Sequence, residues 1–298
     1  MQVWVPYGEV CERLPASLSV DVYDGTGPLP PSVAEVGFYV APYTFDPAPL
    51  RLLAQMPKLQ VVQTLTAGYD HVLPYLPQGV RLCNAGRLHD TSTAELAIAL
   101  VLASLRGLPD FVRGQDAQQW RHRQWRSLAD RTVLIVGYGG IGAAIERRLA
   151  GFEVAEVLRV ARRSRPGVAE LSALPELLPR ADVVVISVPL TEQTRRLVDA
   201  EFLARMRDGA LLVNVARGGV VDTDALVAEV SSGRLRAALD VTDPEPLPAG
   251  HPLWREPGVL ISPHVGGNST AFLPRAQQLI VDQVRRFAAG EPLQHIVR

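Results

Sequence analysis

The sequence lacks several features that mark specialised classes of protein. Its 298 residues include only two cysteines, Cys11 and Cys83, whose spacing matches no metal site, so we expect two ordinary reduced thiols and no metal. The longest apolar run, residues 96–103, is too short to cross a bilayer. The first residues do not show the basic start and apolar stretch of a secretory signal, and we therefore expect a cytoplasmic protein.

The chain also lacks a strong charge of either sign. Its formal net charge of −1 provides none of the long-range attraction that draws basic proteins to nucleic acid or anionic membranes. Lysine is nearly absent, since Lys58 is the only lysine among 30 basic residues, so an arginine is not informative merely for not being lysine. With 47% hydrophobic residues, the chain can bury a substantial core in two ordinary domains. We expect small-molecule partners, with no nucleic acid and no membrane.

The most informative segment is residues 132–148, which read TVLIVGYGGIGAAIERR. A short β-branched apolar run predicts a strand buried on both faces, and good helix formers follow the glycines. Glycines between a strand end and a helix start allow a tight turn and a close approach of the backbone to a pyrophosphate. The alternative is a glycine-rich turn without a ligand. The predicted cofactor contacts in this turn are Gly137, Tyr138, Gly139, Gly140, Ile141 and Gly142.

Short apolar runs recur on both sides of this segment and predict two parallel α/β units. A long helix starting at Thr93 separates them and is expected to end at Gly107. Residues 109–131 then read as a polar arm whose Trp120 and Trp125 predict either a protein interface or a satellite core cluster. The runs before the helix are residues 3–5, 20–23, 36–41, 59–65 and 80–83, and those after it are residues 132–136, 157–161, 183–188, 211–216, 237–241 and 259–261.

Chemically useful residues follow these runs, at the strand ends where parallel sheets bind ligands. In the second unit they are Arg162, Pro189, Arg217, Asp240 with Glu245, and His264. In the first unit, Gly68 lies in the loop of residues 66–70, which is either a carboxylate-binding turn or a plain turn. Taken singly, each polar residue has an ordinary structural explanation, but their clustering on one edge favours a functional site.

The chain resembles the D-isomer-specific 2-hydroxyacid dehydrogenase family over essentially its full length. The segments that carry the resemblance are TAELAIALVL, VGYGGIG, VNVARGG, ALDVTDPEPLP and SPHVGG. Within the family, DVTDPEPLP and RRSRP are most similar to the glyoxylate/hydroxypyruvate reductases. The resemblance implies a homodimer of two-domain subunits with two doubly wound parallel sheets and a cleft between the domains. A flavodoxin-like substrate domain is expected over residues 1–94 and 267–298, and a Rossmann dinucleotide-binding domain over residues 95–266.

The same resemblance implies roles for individual residues. Arg217, Glu245 and His264 match the catalytic positions of the family, and Arg217 and His264 are also expected to contact substrate. The backbone N–H groups of Ala67 and Gly68 are expected to bind the substrate carboxylate. The residues expected at the nicotinamide end of the cofactor are Val188, Pro189 and Asp240.

Reduction of a 2-keto acid independently requires these residue types. Hydride addition at C2 places negative charge on the C2 oxygen, so the site needs a proton donor that is protonated near neutral pH, as a histidine can be. A neighbouring carboxylate favours the imidazolium and fixes its tautomer. An arginine holds carboxylate and carbonyl oxygens together through its forked donors. We therefore expect His264, Glu245 and Arg217 to fill these three roles.

The segment after the second strand of the Rossmann unit bears on the choice of cofactor. NAD-binding sites place an acidic residue there for the ribose hydroxyls, whereas this chain has Ala161 at that place, followed by Arg162, Arg163 and Arg165. The arginines predict NADP over NAD, although NAD stays possible and a solvated basic turn is the alternative. Two other functions stay open, an NAD-dependent D-2-hydroxyacid dehydrogenase with another substrate and a dinucleotide-sensing corepressor-like protein. Turnover of a keto acid distinguishes an enzyme from the corepressor.

Overall fold

The computed structural model describes residues 1–298. The strands are β1 Gln2–Val5, β2 Ser19–Val22, β3 Val36–Val40, β4 Val61–Gln63, β5 Arg81–Cys83, β6 Thr132–Val136, β7 Glu156–Ala161, β8 Ala169–Glu170, β9 Val183–Ile186, β10 Leu211–Asn214, β11 Arg236–Leu239 and β12 Val259–Ile261. The helices are α1 Ala48–Arg51, α2 Asp90–Arg106, α3 Leu108–Asp116, α4 Gly140–Leu149, α5 Leu174–Leu177, α6 Ala200–Arg205, α7 Thr223–Ser231 and α8 Phe272–Ala289. None of the helices is both long and apolar enough to span a bilayer.

The chain forms two compact units, one of residues 1–89 with 270–298 and one of residues 90–269. The boundaries expected from the sequence lie three to five residues away, at 94/95 and 266/267. Each unit contains one parallel sheet, which confirms the predicted fold class of two parallel-sheet α/β domains. The assignment of one unit to substrate and the other to dinucleotide stays a prediction.

The first unit is built on a five-stranded sheet with the order β2-β1-β3-β4-β5. All its strand pairs are parallel, and β3 is buried throughout because both faces of the sheet are covered. On one face α8 contributes Ala276, Ile280 and Val284 to the core, which explains why a helix from the end of the chain belongs to this unit.

The second unit is built on a seven-stranded sheet with the order β12-β11-β10-β9-β6-β7-β8. Successive residues of β6 point to opposite faces, so that Val133 packs with α2 and α4 whereas Leu134 packs with α6 and α7. The strand order reverses between β6 and β9, and such a switch point opens a crevice at the carboxyl ends of the strands. The sequence predicted six of these strands and missed β8, which is only two residues long.

The segment between α2 and β6, within the second unit, differs in part from the prediction. Helix α2 ends before Gly107, which adopts a left-handed φ of +68°, as expected for the end of this helix. The first residues of the predicted polar arm form a helix that the sequence did not indicate, because α3 begins at once with Pro109 in its first turn, where a missing N–H is tolerated. Trp125 packs edge-to-face against Phe111, which matches the satellite-cluster alternative for this tryptophan. Trp120 is 95% exposed.

Candidate active site

The predicted functional residues of the second unit lie along one edge of its sheet in a definite order. The strands run parallel, so the segments that follow them emerge at the same edge. Along that edge, His264 follows β12, Glu245 follows β11, Arg217 follows β10, the Val188-Pro189 turn follows β9, the glycine turn follows β6 and the arginine turn follows β7. Four strand spacings of about 4.8 Å separate β11 from β7, roughly 19 Å in all. The acid–base residues and the arginine turn therefore stand at opposite ends of an extended site.

The glycine turn has the geometry of a phosphate cradle. Gly137 has a φ of +104°, and a Cβ there would lie 2.5 Å from the carbonyl carbon of Ser187. Gly139 has no atom within 4 Å of its Cβ position, so open space adjoins the turn. Gly139 is also the N-cap of α4 and makes no side-chain cap bond to the N–H groups that begin this helix. These donors and the helix dipole suit a pyrophosphate.

The Val188-Pro189 turn packs directly beside the glycine turn. The Ser187 hydroxyl donates to the Gly137 carbonyl at 2.7 Å, and the Thr194 hydroxyl donates to the Pro189 carbonyl at 2.6 Å. Because both ends of the turn are anchored, its surface next to Gly137 has a fixed shape.

The arginine turn begins where β7 ends at Ala161. Arg162, Arg163 and Arg165 are all exposed. The Arg165 guanidinium donates to the Tyr138 carbonyl at 2.5 Å, which joins this turn to the glycine turn. The side chains of Arg162 and Arg163 take part in no hydrogen bond or ion pair within the chain, so their charges face solvent.

The loop after β10 presents Arg217, which is half-buried. Buried Asn214 shapes this loop, since its side chain donates to the Arg217 carbonyl at 3.0 Å and accepts from the Ala216 N–H at 3.0 Å. A Cβ at Gly218 would collide with the carbonyl of Thr242. The Arg217 loop is therefore in direct contact with the segment that leads to Glu245.

Asp240, at the end of β11, has a buried carboxylate that organises the loop after β12. It accepts from the Ser262 hydroxyl at 2.6 Å, the Val265 N–H at 2.9 Å and the Gly266 N–H at 2.9 Å. The backbone N–H of His264 donates to the Asp240 carbonyl at 2.8 Å. Asp240 thus anchors both sides of His264, a role that the sequence did not reveal.

The two titratable side chains at this end of the site form a pair. Nδ1 of His264 lies 2.5 Å from Oε1 of Glu245, and the two side chains are 28% and 32% exposed. His264 has a φ of +52°, a value that residues other than glycine rarely adopt and that is common at functional positions. The bond fixes the orientation of the imidazole ring through Nδ1.

The first unit contains the other predicted contact, the loop of residues 66–70. Its carbonyl groups are held within the protein, since Asn84 donates to the Ala67 carbonyl at 2.7 Å and the Thr66 hydroxyl donates to the Gly68 carbonyl at 2.8 Å. The N–H groups of Ala67 and Gly68 donate to no group of the chain. Two such unpaired neighbouring donors suit a carboxylate. The sequence did not single out Asn84, although it follows β5 at a strand end.

Comparison with known proteins gives a consistent picture. Residues 98–266 match the family model described as the NAD-binding domain of D-isomer specific 2-hydroxyacid dehydrogenases. A glyoxylate reductase/hydroxypyruvate reductase of Homo sapiens is 32% identical over 306 residues, which cover 96% of this chain and 93% of that protein.

Solved structures are similar over almost the whole chain. A D-isomer specific 2-hydroxyacid dehydrogenase of Xanthobacter autotrophicus Py2, in complex with NADPH and MES, is 32% identical with a TM-score of 0.81, covering 100% of this chain and 97% of that one. An NADPH-dependent glyoxylate/hydroxypyruvate reductase of Sinorhizobium meliloti, in complex with NADP and sulfate, is 27% identical with a TM-score of 0.84, covering 99% of this chain and 98% of that one. The resemblance that the sequence motifs indicated is confirmed.

Proposed function

Because the chain belongs to the D-isomer-specific 2-hydroxyacid dehydrogenase family, we propose that it reduces a small 2-keto acid of the glyoxylate or hydroxypyruvate kind to the D-2-hydroxy acid with NADPH. The observation that carries this proposal is the His264–Glu245 pair, 2.5 Å apart, on the sheet edge that also carries Arg217 and the glycine turn. The human and Sinorhizobium relatives, both glyoxylate/hydroxypyruvate reductases, support the substrate class.

In this proposal His264 donates the proton and Glu245 supports it. A bound nicotinamide dinucleotide supplies the hydride to C2 of the keto acid. The imidazolium donates its Nε2 proton to the C2 oxygen as negative charge develops there. Glu245 accepts the Nδ1–H bond, which orients the ring and stabilises its charged form before the transfer.

Arg217 and the loop of residues 66–70 orient the substrate. A guanidinium remains charged at every physiological pH and binds carboxylate and carbonyl oxygens with parallel donors. The unpaired N–H groups of Ala67 and Gly68 add neutral donors for the substrate carboxylate. Holding the carboxylate and carbonyl oxygens would fix C2 in the position that hydride transfer needs.

The residues present fit a dinucleotide. The glycine turn and the N-terminus of α4 would hold the pyrophosphate in the open space at Gly139, and the Val188-Pro189 turn would contact the nicotinamide end. Asp240 uses its carboxylate on the loop of residues 262–266, which leaves only its remaining acceptor capacity for a nicotinamide amide.

The arginine turn supports NADPH over NADH. The two cofactors differ by the 2′-phosphate, and β7 is followed by arginines instead of the acid that would repel this group. One charge-assisted hydrogen bond contributes about 1.5–3 kcal/mol, which corresponds to a preference of roughly ten- to a hundredfold. Because these side chains are exposed, we expect the preference for NADPH to lie closer to tenfold than to a hundredfold.

A single panel of assays tests the proposed function. Glyoxylate, hydroxypyruvate, pyruvate and bulkier 2-keto acids are assayed with NADPH and with NADH. Glyoxylate and hydroxypyruvate should give the highest kcat/KM. Catalytic efficiency with NADPH should exceed that with NADH, and Arg162→Ala and Arg165→Ala should reduce only the former. Preference for a bulky acid would refute the substrate class, and absence of turnover with every acid would favour a dinucleotide-sensing protein.

A further inference from the structure

The glycine turn contains an aromatic side chain, Tyr138, that takes no part in the proposed hydride or proton transfer. Its phenol donates to Oε2 of Glu146 on α4. The same carboxylate accepts from Arg159 on β7, with Nε at 2.9 Å from Oε1. Arg159 also donates to the Val157 carbonyl of its own strand at 3.0 Å. The ring of Tyr138 is therefore held by a carboxylate that is itself fixed between a helix and a strand.

Charge keeps this arrangement in one protonation state near neutral pH. The hydrogen bond from Arg159 holds the pKa of Glu146 below its usual value of 4.5. The hydrogen bond to Glu146 in turn raises the pKa of Tyr138 above 10.0. The carboxylate is thus an anion and the phenol a neutral donor, so the bond between them has one polarity.

The backbone of the turn is tied to β7 as well. The N–H groups of Gly137 and Tyr138 both donate to the Val160 carbonyl, at 2.8 and 3.1 Å. Tyr138 consequently has a fixed carbonyl and a fixed ring, and both face the arginine turn that begins after Ala161.

Arg165 uses both of these groups. Its guanidinium donates to the Tyr138 carbonyl at 2.5 Å and lies 5.4 Å from the centre of the Tyr138 ring. Its backbone exchanges two hydrogen bonds with Val168, at 3.1 and 2.8 Å, which close the turn. Arg162 and Arg163 have no comparable support from other side chains. Of the three exposed arginines, Arg165 is therefore already ordered before a ligand binds.

We infer that Tyr138 is a specificity-determining residue that positions Arg165 to bind the 2′-phosphate of NADPH. The inference rests on the proposed use of NADPH. An arginine has five N–H donors, so the bond to the Tyr138 carbonyl leaves others for the phosphate. A side chain that is already ordered loses less rotamer freedom on binding than a free one, which favours the ligand.

Calorimetric titration of the full-length protein with NADPH, NADH, adenosine 2′,5′-bisphosphate and AMP tests this inference without requiring turnover. Arg165→Ala should weaken NADPH and the bisphosphate about tenfold or more and leave NADH and AMP within about twofold. Tyr138→Ala should weaken the binding of the two ligands that carry a 2′-phosphate by about three- to tenfold, because the ring and the ordering of Arg165 are lost. The binding of NADH and AMP should not change. Tyr138→Phe retains the ring and should have a smaller effect in the same direction. Arg180→Ala, which removes an exposed arginine paired with Glu156, is the matched control and should change none of the four affinities.

The outcomes distinguish a failure of this inference from a failure of the proposed use of NADPH. Equal binding of NADPH and NADH by the unmodified protein overturns both. If the protein prefers NADPH and Arg165→Ala removes the preference while Tyr138→Ala retains it, only the role of Tyr138 is overturned. The same holds if Tyr138→Ala weakens all four ligands equally, because the ring then merely supports the turn. Thermal unfolding shows whether each variant still folds. If Tyr138→Ala does not fold, the affinities of Tyr138→Phe for the four ligands test the inference.

Discussion

At the scale of single residues, His264 is the side chain whose removal should separate chemistry from binding. His264→Ala should lower kcat by about two to four powers of ten, because a positioned general acid contributes roughly that much. The affinity for cofactor should barely change, since the glycine turn lies several strands away. Stopped-flow reduction and direct cofactor titration measure the two quantities. His122→Ala, which removes an exposed histidine elsewhere, is the control, and a small loss for His264→Ala would contradict the assignment.

Glu245 should be detectable through the turnover rate. Its carboxylate accepts from Nδ1 of His264 and so holds the imidazole ring in one orientation. Glu245→Ala removes this acceptor and should lower kcat for reduction by about ten- to a hundredfold, whereas the affinity for cofactor should barely change. Steady-state kinetics and direct cofactor titration measure the two quantities. A kcat within about twofold of the unmodified protein would contradict the proposed partnership.

Single residues also show what sequence reasoning can and cannot supply. The clustering of Arg217, Glu245 and His264 was predictable because each lies in a short segment after a strand, and parallel strands place such segments on one edge. Their catalytic roles were implied by the resemblance to the family. Asp240 was predicted to contact the cofactor, whereas its carboxylate accepts three hydrogen bonds from residues 262–266. The support of Tyr138 by Glu146 and Arg159 has no regular spacing in the sequence. Such contacts depend on the packing of three elements and become visible only in the fold.

At the scale of elements, the Glu146–Arg159 bond ties α4 to β7 and should make stability depend on pH. Arg159 lowers the pKa of Glu146 below its unfolded value of 4.5, so its contribution is full above that value and is lost as pH falls through the native pKa. Glu146→Gln cannot titrate. Its urea midpoint should be lower than that of the unmodified protein at pH 7, and the difference should shrink as pH falls from about 5 to about 3.

A surface pair provides the control for this prediction. Glu156 binds Arg180 at 2.7 Å, but both side chains are about half exposed, so Glu156→Gln should change the midpoint little at any pH. If the urea midpoints of Glu146→Gln and the unmodified protein differ by the same amount at every pH, the bond acts through packing and not through charge.

The elements themselves were largely predictable, and the exceptions have physical reasons. Eleven apolar runs correspond to strands because buried parallel strands need continuous apolar sequence. Strand β8 has two residues and lies at the edge of the sheet, where neither length nor apolarity marks it. Helix α3 has a polar composition and begins at Leu108, right after Gly107. Gly107 and Pro109 read as a stop signal in the sequence, although Pro109 lies in the first turn of α3.

At the scale of the whole molecule, we predict a homodimer that uses the surface near α3. Leu108, Phe111, Val112 and Trp120 are exposed there, and large apolar side chains that cluster on a surface mark interaction sites. Light scattering should give about twice the chain mass of 32.4 kDa. Val112→Asp should shift the protein toward the monomer, because a charge would be buried without a partner. Val22→Asp alters an exposed valine on β2 and should leave the mass unchanged. A monomeric unmodified protein would contradict the prediction.

The contact at Gly218 has a consequence for motion. With no room for even a Cβ between this residue and the Thr242 carbonyl, the loop that carries Arg217 cannot slide past the segment that leads to Glu245. That segment is joined through Glu245 to His264, and Asp240 fastens the backbone on both sides of the histidine. Any displacement of one loop is therefore transmitted to the other two. The three side chains should therefore fluctuate as one body.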